Sequence, residues 1–398
     1  MTWRLRMVIL VSFLVMAGAI PTGAATGIWR PMNAPSPVGR GYGMPTCLDG
    51  NHCWVSYASK NSAGILVTVD GGRRWFAGHF ATPVFEIDGI SCVSINECAA
   101  VGFDLGAQGM LRAVALHTSD GGRQWSLATL PPTYVPSAGS PTSLDTVNCR
   151  SSGDCVAMGA GPSPPAQPVN CGTGCSYVPG PTSGTVALWA LTSTDGGTTW
   201  SSESIVENSM PDEAYQVTCP TATTCAGVGF GFSSCPPGQK CTAHGLAFYY
   251  DAAATTPWSL VSVPTGIFSV DSLSCPTTTL CLAVGSTGDA ESGHGVVLRS
   301  LNGGSSWQRL RAPNGSNAIH SISCVNARVC VAAGGMGTSS YVRPTMFLTT
   351  NGGVTWRDEA VPAVGFTNDV ACPDVHFCVM TGSLSIYPAH GLILGGYA

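Results

Sequence analysis

Short segments in which apolar and polar residues alternate, such as "SISC" and "QVTC", recur along this 398-residue chain, and each runs into a cysteine. Five residues later a second cysteine opens another such segment, as in "CAAVGF", "CAGVGF" and "CLAVGS". Alternation of period two predicts half-buried strands, and two strands joined by a tight turn predict a hairpin. After the second strand and a loop comes a third, such as "GVVLRS", then an octet such as "TVDGGRRW" (Thr68 to Trp75), then a fourth strand starting at the octet's tryptophan ("WQRLRAP", "WSLATLP", "WRDEAVP").

This order repeats with the pairs Cys47/Cys53, Cys92/Cys98, Cys149/Cys155, Cys219/Cys225, Cys275/Cys281, Cys324/Cys330 and Cys372/Cys378. Their first cysteines lie 45, 57, 70, 56, 49 and 48 residues apart. A strand-rich period near this length predicts a β-propeller. The longest spacings contain two insertions, residues 161–184 with Cys171 and Cys175, and residues 233–243 with Cys235 and Cys241, which read as loops pinned by local disulfides. Zinc knuckles use closer spacings in reducing compartments, so all nine pairs are expected to be disulfides and no metal is expected.

Seven hairpins accompany only six octet sites. After Cys378 the chain offers "CVMTGS" and "HGLILGG" and then no fourth strand, whereas "TGIWRPMNAP" (residues 26–35) carries the tryptophan and trailing proline of the other fourth strands. The expected fold is therefore all-β: a seven-bladed propeller whose last blade is completed by the N-terminal strand, with Trp29 in the place of Trp75 or Trp125. Such a closure hides the seam and leaves only short outer edges.

The octets explain themselves locally. Asp or Asn can bond turn amides, glycines can take positive φ, and the tryptophan packs under the turn. S/T-x-D-x-G-x-x-W resembles the Asp-box, or bacterial neuraminidase repeat. Five copies are similar to it: Asp70 with Trp75, Asp120 with Trp125, Asp195 with Trp200, Asn302 with Trp307, and Asn351 with Trp356. A sixth, Asp251 to Trp258, has lost its glycines. With its C-x5-C hairpins the chain resembles secreted Asp-box propellers of bacteria, often grouped with photosystem II assembly factor-like propellers. The resemblance implies that the octet is a structural turn remote from any active site. A sialidase-like site would require an arginine triad, a Tyr/Glu nucleophile pair and an Asp acid; "WRPM" replaces the expected Arg-Ile-Pro, and glutamate numbers seven in all.

Composition narrows the setting. Charged residues make up 10% of the chain, with Gly 50 and Pro 28, which favours turn-rich β structure over solvated helices. The net charge of −5 lacks the basic balance of a nucleic-acid binder. Two arginines within Met1 to Arg6, a fourteen-residue apolar run from Met7 to Ile20 and small residues from Pro21 to Ala25 read as a secretory signal peptide cleaved near Ala24. Residues 25–398 are then one propeller domain, released outside the cell without a membrane span and monomeric.

Two sets of residues stand out as candidate sites. Four positions before each blade's first cysteine stand Gly43, Asp88, Asp145, Tyr215, Asp271, His320 and Asn368, with Asp369 adjacent. They start the strands that line the channel, where a polar ring could bind a cation or polar ligand; the simpler expectation is that they cap the turns leading into the strands. Arg299, Arg309, Arg311, Arg328, Arg343 and Arg357 form a basic sector free of Asp and Glu from Ser292 to Trp356, suited to an anionic partner or to protecting outer edges. No nucleophile elbow, H-E-x-x-H or phosphate loop occurs, and no cofactor is implied. The expected function is a non-catalytic scaffold binding an extracellular protein or polysaccharide. The rival is a carbohydrate-active enzyme, sialidase-like or another glycoside hydrolase, acting at the channel mouth.

Overall fold

The computed structural model describes residues 29–396 except 36–37, 60–61, 107–108, 110, 133–141, 151–152, 163–185, 207–212, 233–242, 289–292, 339–340, 360, 362–365 and 384–388. The leader with its cleavage site near Ala24 and most of both insertions lie outside the described residues. So do two of the nine expected disulfides, Cys171 with Cys175 and Cys235 with Cys241, whose pairing stays an expectation of the sequence.

Seven antiparallel blades surround a channel. Blade 2, for example, runs outward through Glu86–Cys92, Cys98–Leu105, Leu111–Thr118 and Gln124–Leu127, with His79–Phe80 added in parallel at its edge. Blade 7 consists of Phe366–Asp374, Phe377–Ser383 and Ala389–Gly396, and its fourth strand comes from the other end of the chain: Arg30 and Pro31 pair with Gly395 and Leu394. The closure goes further than a borrowed strand. Val38 and Gly39 still pair with His390 and Ala389, and Gly39 pairs at once with Ser59, so the outer strand of blade 7 continues into the innermost strand of blade 1. Blades 7 and 1 thus form one eight-stranded sheet.

The core lies between blades. Among the described residues, each of seven apolar clusters holds one fourth-strand tryptophan: Trp125, Trp200, Trp258, Trp307, Trp356, Trp29 and Trp75 in turn around the ring. Trp29 packs with Val331, Leu348, Val370, Met380 and Leu394 between blades 6 and 7. The eroded octet has kept the part that the core needs, since Trp258 is buried.

In the five good octets one hydrogen-bond scheme recurs. Thr68 Oγ1 donates to Asp70 Oδ1 at 3.0 Å and accepts from Gly72 N at 2.9 Å, while Arg74 N donates to Asp70 Oδ1 at 2.9 Å. The same bonds join Thr118, Asp120, Gly122 and Gln124; Ser193, Asp195, Gly197 and Thr199; Ser300, Asn302, Gly304 and Ser306; and Thr349, Asn351, Gly353 and Thr355. Gly71 and Gly72 have φ of 71° and 79°, a region that a side chain would strain. The first octet glycine donates to the cystine turn, as Gly71 N does to Asn51 O at 3.1 Å and Gly352 N to Arg328 O at 2.9 Å. Octet and cystine turns therefore share one face of the ring, and the innermost strands begin at the other.

Seven disulfides, Cys47–Cys53, Cys92–Cys98, Cys149–Cys155, Cys219–Cys225, Cys275–Cys281, Cys324–Cys330 and Cys372–Cys378, brace one hairpin per blade. Their abundance suggests an oxidising compartment. Among the described residues no helix is long and apolar enough to cross a membrane.

Innermost strands also lock to their neighbours. Side-chain oxygens one and three residues before a first cysteine accept amides of the next blade: Ser91 from Cys149 N, Thr146 from Val217 N, Asn148 from Cys219 N, Ser272 from Ile322 N and Ser321 from Val370 N. Amides on the channel side of an innermost strand have no ladder partner, and these bonds supply one.

Candidate functional site

The ring of positions four residues before each first cysteine has a structural cause, and it is not turn capping. At each one the innermost strand holds one residue too many for its neighbour. In blade 2 Ile87 pairs with Gly102 and Gly89 with Val101, leaving Asp88 as a β-bulge. Tyr215, Asp271 and His320 are left over in the same way in blades 4, 5 and 6. In blade 3 the amide of Asp145 donates to Met158 O while Thr146 is the residue paired with Met158. Asn368 and Asp369 fall between the pairs Thr367 with Gly382 and Val370 with Met380, and Gly43 falls between Tyr42 with Tyr57 and Pro45 with Val55. A bulge bends the strand and re-aims its side chain.

The bulge forces a glycine onto the second strand. A Cβ on Gly102, Gly159, Gly229 or Gly285 would lie 2.1, 2.1, 1.9 or 2.1 Å from a carbonyl oxygen of the innermost strand. Gly334 and Gly382 are as crowded, at 2.3 and 2.4 Å. All six stand four residues after a second cysteine; blade 1 has Tyr57 there instead. So the glycine of "CAAVGF" marks where a side chain is turned toward the mouth.

Two arcs of acids result. On blades 2 to 4, Asp88 Oδ2 is buried and has no hydrogen-bond partner. Burial first, then the charges of Asp145 and Glu86, push the Asp88 carboxyl well above the usual carboxylate range. Asp145 is pushed up to about 7 by burial, against a hydrogen bond with Ser143, with the charge of Glu213 adding to the rise. Burial also raises Glu213, opposed by a hydrogen bond with Tyr215. On blades 5 to 7 the second arc contains its own base: His320 Nδ1 stands 3.8 Å from Asp271 Oδ2. Asp369 is pushed up to about 6 by burial, with Ser321 and His320 opposing and Asp271 adding. Asn368 turns to blade 1, donating to Tyr42 O at 2.9 Å.

Glu86, Glu213 and the role of Asp369 had no place in the sequence expectation. A signal existed: two of the chain's seven glutamates stand six residues before a first cysteine. Aromatic residues gather at the same end of the blades. Tyr215 stacks with Phe230 at 6.5 Å, Phe230 meets Phe268 at 5.2 Å, and Phe85 meets Phe103 at 5.8 Å. An open groove of about 440 Å³ lies between blades 4 and 5, lined by Leu246, Leu260, Val263 and Ile267. Among the described residues no group of three His, Cys, Asp or Glu side chains is placed to hold a metal ion.

No family model matches the chain, and no curated protein matches it in sequence. Solved structures do match in fold. The chain is similar to YCF48 bound to a D1 peptide, with 16% identity, a TM-score of 0.55, and coverage of 95% of this chain and 100% of that one. It is similar to a polysaccharide lyase, the PL25 ulvan lyase, with 10% identity, a TM-score of 0.60, and coverage of 93% and 96%. It is similar to U3-55K, with 11% identity, a TM-score of 0.55, and coverage of 93% and 100%. What they share with this chain is the propeller.

The arginines of the basic sector are spread over several elements, and two of them form ion pairs. Arg343 pairs with Asp358 at 3.3 Å and Arg357 with Glu359 at 2.8 Å, two acids just beyond the acid-free stretch. Arg311 donates to Asn314 at 2.9 Å, and Arg299, on the third strand of blade 5, faces the Gln308 side chain. Arg309 lies on the outer strand of that blade, and Arg328 lies in the cystine turn on the opposite face from the bulges.

Proposed function

We propose that this chain is a secreted, non-catalytic propeller that binds a protein or polysaccharide partner in the cell envelope or outside the cell, through the channel mouth. The observation that carries this reading is the bulge ring. Octets, cystines and glycines repeat from blade to blade, whereas the bulge residues differ, and all stand at the same end of the ring. The acids there also favour binding over hydrolysis. A glycoside hydrolase sets two carboxyls apart, one protonated and one ionised, but Asp88, Asp145 and Glu213 are all displaced upward.

A carbohydrate-active enzyme is the second reading. It is favoured by Asp145, whose pKa of about 7 suits a general acid, and by the fold-level likeness to a polysaccharide lyase. One experiment separates the two. The chain is applied to arrays of peptides and envelope polysaccharides, and each bound ligand is recovered and sized. The module reading predicts ligands recovered intact and binding reduced by Asp88→Asn with Asp145→Asn. Shortened polysaccharide chains would establish the enzyme reading in its place.

A further inference from the structure

We propose that Asn314 is a site of covalent self-modification, independent of what binds at the mouth. The folded chain converts this asparagine to aspartate and isoaspartate by attack of the Gly315 amide, with the Arg311 guanidinium holding the oxygen on which charge builds.

When glycine follows asparagine, no side chain hinders the approach of the next backbone nitrogen to the asparagine's amide carbon. The pair occurs three times, as Asn302–Gly303, Asn314–Gly315 and Asn351–Gly352. The octets shield two of them. Gly303 N donates to Thr279 O at 2.7 Å and Gly352 N to Arg328 O at 2.9 Å, and both glycines are buried. Asn302 Oδ1 accepts from Ser300 Oγ at 2.8 Å and Ser306 N at 3.0 Å, and its Nδ2 donates to Ser306 Oγ at 2.8 Å. Asn351 is held in the same way by Thr349 Oγ1, Thr355 N and Thr355 Oγ1. Neither side chain can swing onto its own backbone without opening the octet.

Asn314 stands in the opposite setting. Asn314 and Gly315 are exposed at the centre of a turn that Ser316 closes, donating N at 3.2 Å and Oγ at 2.8 Å to Pro313 O. Gly315 has φ of 72° and its carbonyl accepts Gly337 N at 3.2 Å, whereas its amide is committed to no carbonyl among the described residues. Arg311 Nη2 donates to Asn314 Oδ1 at 2.9 Å. That bond draws electrons from the side-chain carbonyl and stabilises its oxygen as negative charge develops there.

The step balances without a cofactor. Gly315 N gives its proton to hydroxide and attacks Asn314 Cγ. The bond from Cγ to Nδ2 breaks, Nδ2 takes a proton from water and leaves as ammonia, and a cyclic imide remains. Water then opens the imide at either carbonyl, giving aspartate or isoaspartate. Both products put a carboxylate beside Arg311, the first acid in the stretch from Ser292 to Trp356. Isoaspartate also lengthens the backbone by a methylene just ahead of Ser316–Cys324, the strand that carries the His320 bulge.

The test is to hold the folded, disulfide-bonded full chain in mildly alkaline buffer and follow all three asparagines by peptide mapping. The one-unit mass gain and labelling by isoaspartyl methyltransferase are the readouts. Asn314 is expected to convert at least about tenfold faster than Asn302 or Asn351, the factor set by opening two ordinary hydrogen bonds. In the reduced, urea-unfolded chain the three rates should converge. Arg311→Ala should slow Asn314 severalfold in the folded chain and leave the unfolded rate as it was, with near-ultraviolet dichroism checking the fold. Equal rates at the three sites of the folded chain, or a difference that persists in full on unfolding, would overturn the proposal. So would an Arg311→Ala rate that is unchanged or higher.

Discussion

Each bulge residue is matched by one glycine, and the pair is the smallest unit that shapes the mouth. A methyl group on Gly229 would stand 1.9 Å from Glu213 O, so the bulge would have to flatten. Gly229→Ala should therefore cost roughly 1–3 kcal/mol or more in urea unfolding, the range of overpacking in a full core. The acids have a pH signature of definite sign. Native Asp145 keeps its proton up to about 7, whereas an unfolded aspartate releases it near 4. The native state binds the extra proton, so this group's contribution falls as pH rises from about 4 to about 7. Asp145→Asn removes that loss, and its melting temperature should gain on the parent across the window by at least roughly 2 °C. Asp195 runs the other way. Despite desolvation, bonds from Thr199, Ser193 and Thr198 hold it down to about 2, so its contribution is present above the ordinary aspartate range and fades only as pH falls toward 2.

Hairpins and octets were legible in the sequence because their chemistry is local. A cystine spans five residues and an octet bonds within itself, so each can be read without knowing what lies beside it. The bulges were legible only as positions. Whether Asp88 caps a turn or interrupts a ladder depends on which residue of Cys98–Leu105 it faces, and the alternation of one strand does not contain that register. The ion pairs of the basic sector were hidden for a similar reason: Arg343 and Arg357 find their acids on the outer strand of blade 6, past the acid-free stretch. Replacing both Cys324 and Cys330 with Ser should cost about 2 kcal/mol, the chain-entropy value for so small a loop. Retention on heparin should be unchanged by Arg309→Ser with Arg311→Ser, since Arg309 lies on the outer strand of blade 5 and Arg311 is engaged with Asn314; a marked loss would point to the basic sector as a binding patch.

At the scale of the whole ring, closure joins the chain's two ends. The expectation that an N-terminal strand finishes the last blade came from counting, seven hairpins against six octets, and counting needs no contacts. What counting could not show is that the strand runs on into blade 1, nor that Asn368 and Thr381 bond Tyr42 O and Gly43 O across the seam. Trp29→Ala should loosen this seam by about 3–5 kcal/mol, the usual cost of removing a buried tryptophan, and protease should then cut at the seam first. The central claim is that the bulges of blades 2 and 3 hold Asp88 and Asp145 at the channel mouth with their carboxyls pushed upward by burial. It is tested most directly by carboxyl-¹³C NMR of the aspartate-labelled chain, with Asp88→Asn and Asp145→Asn for assignment. The account predicts one aspartate titrating near 7 and a second well above the ordinary range. If both titrate near 4, the mouth is a solvated rim and the account is wrong.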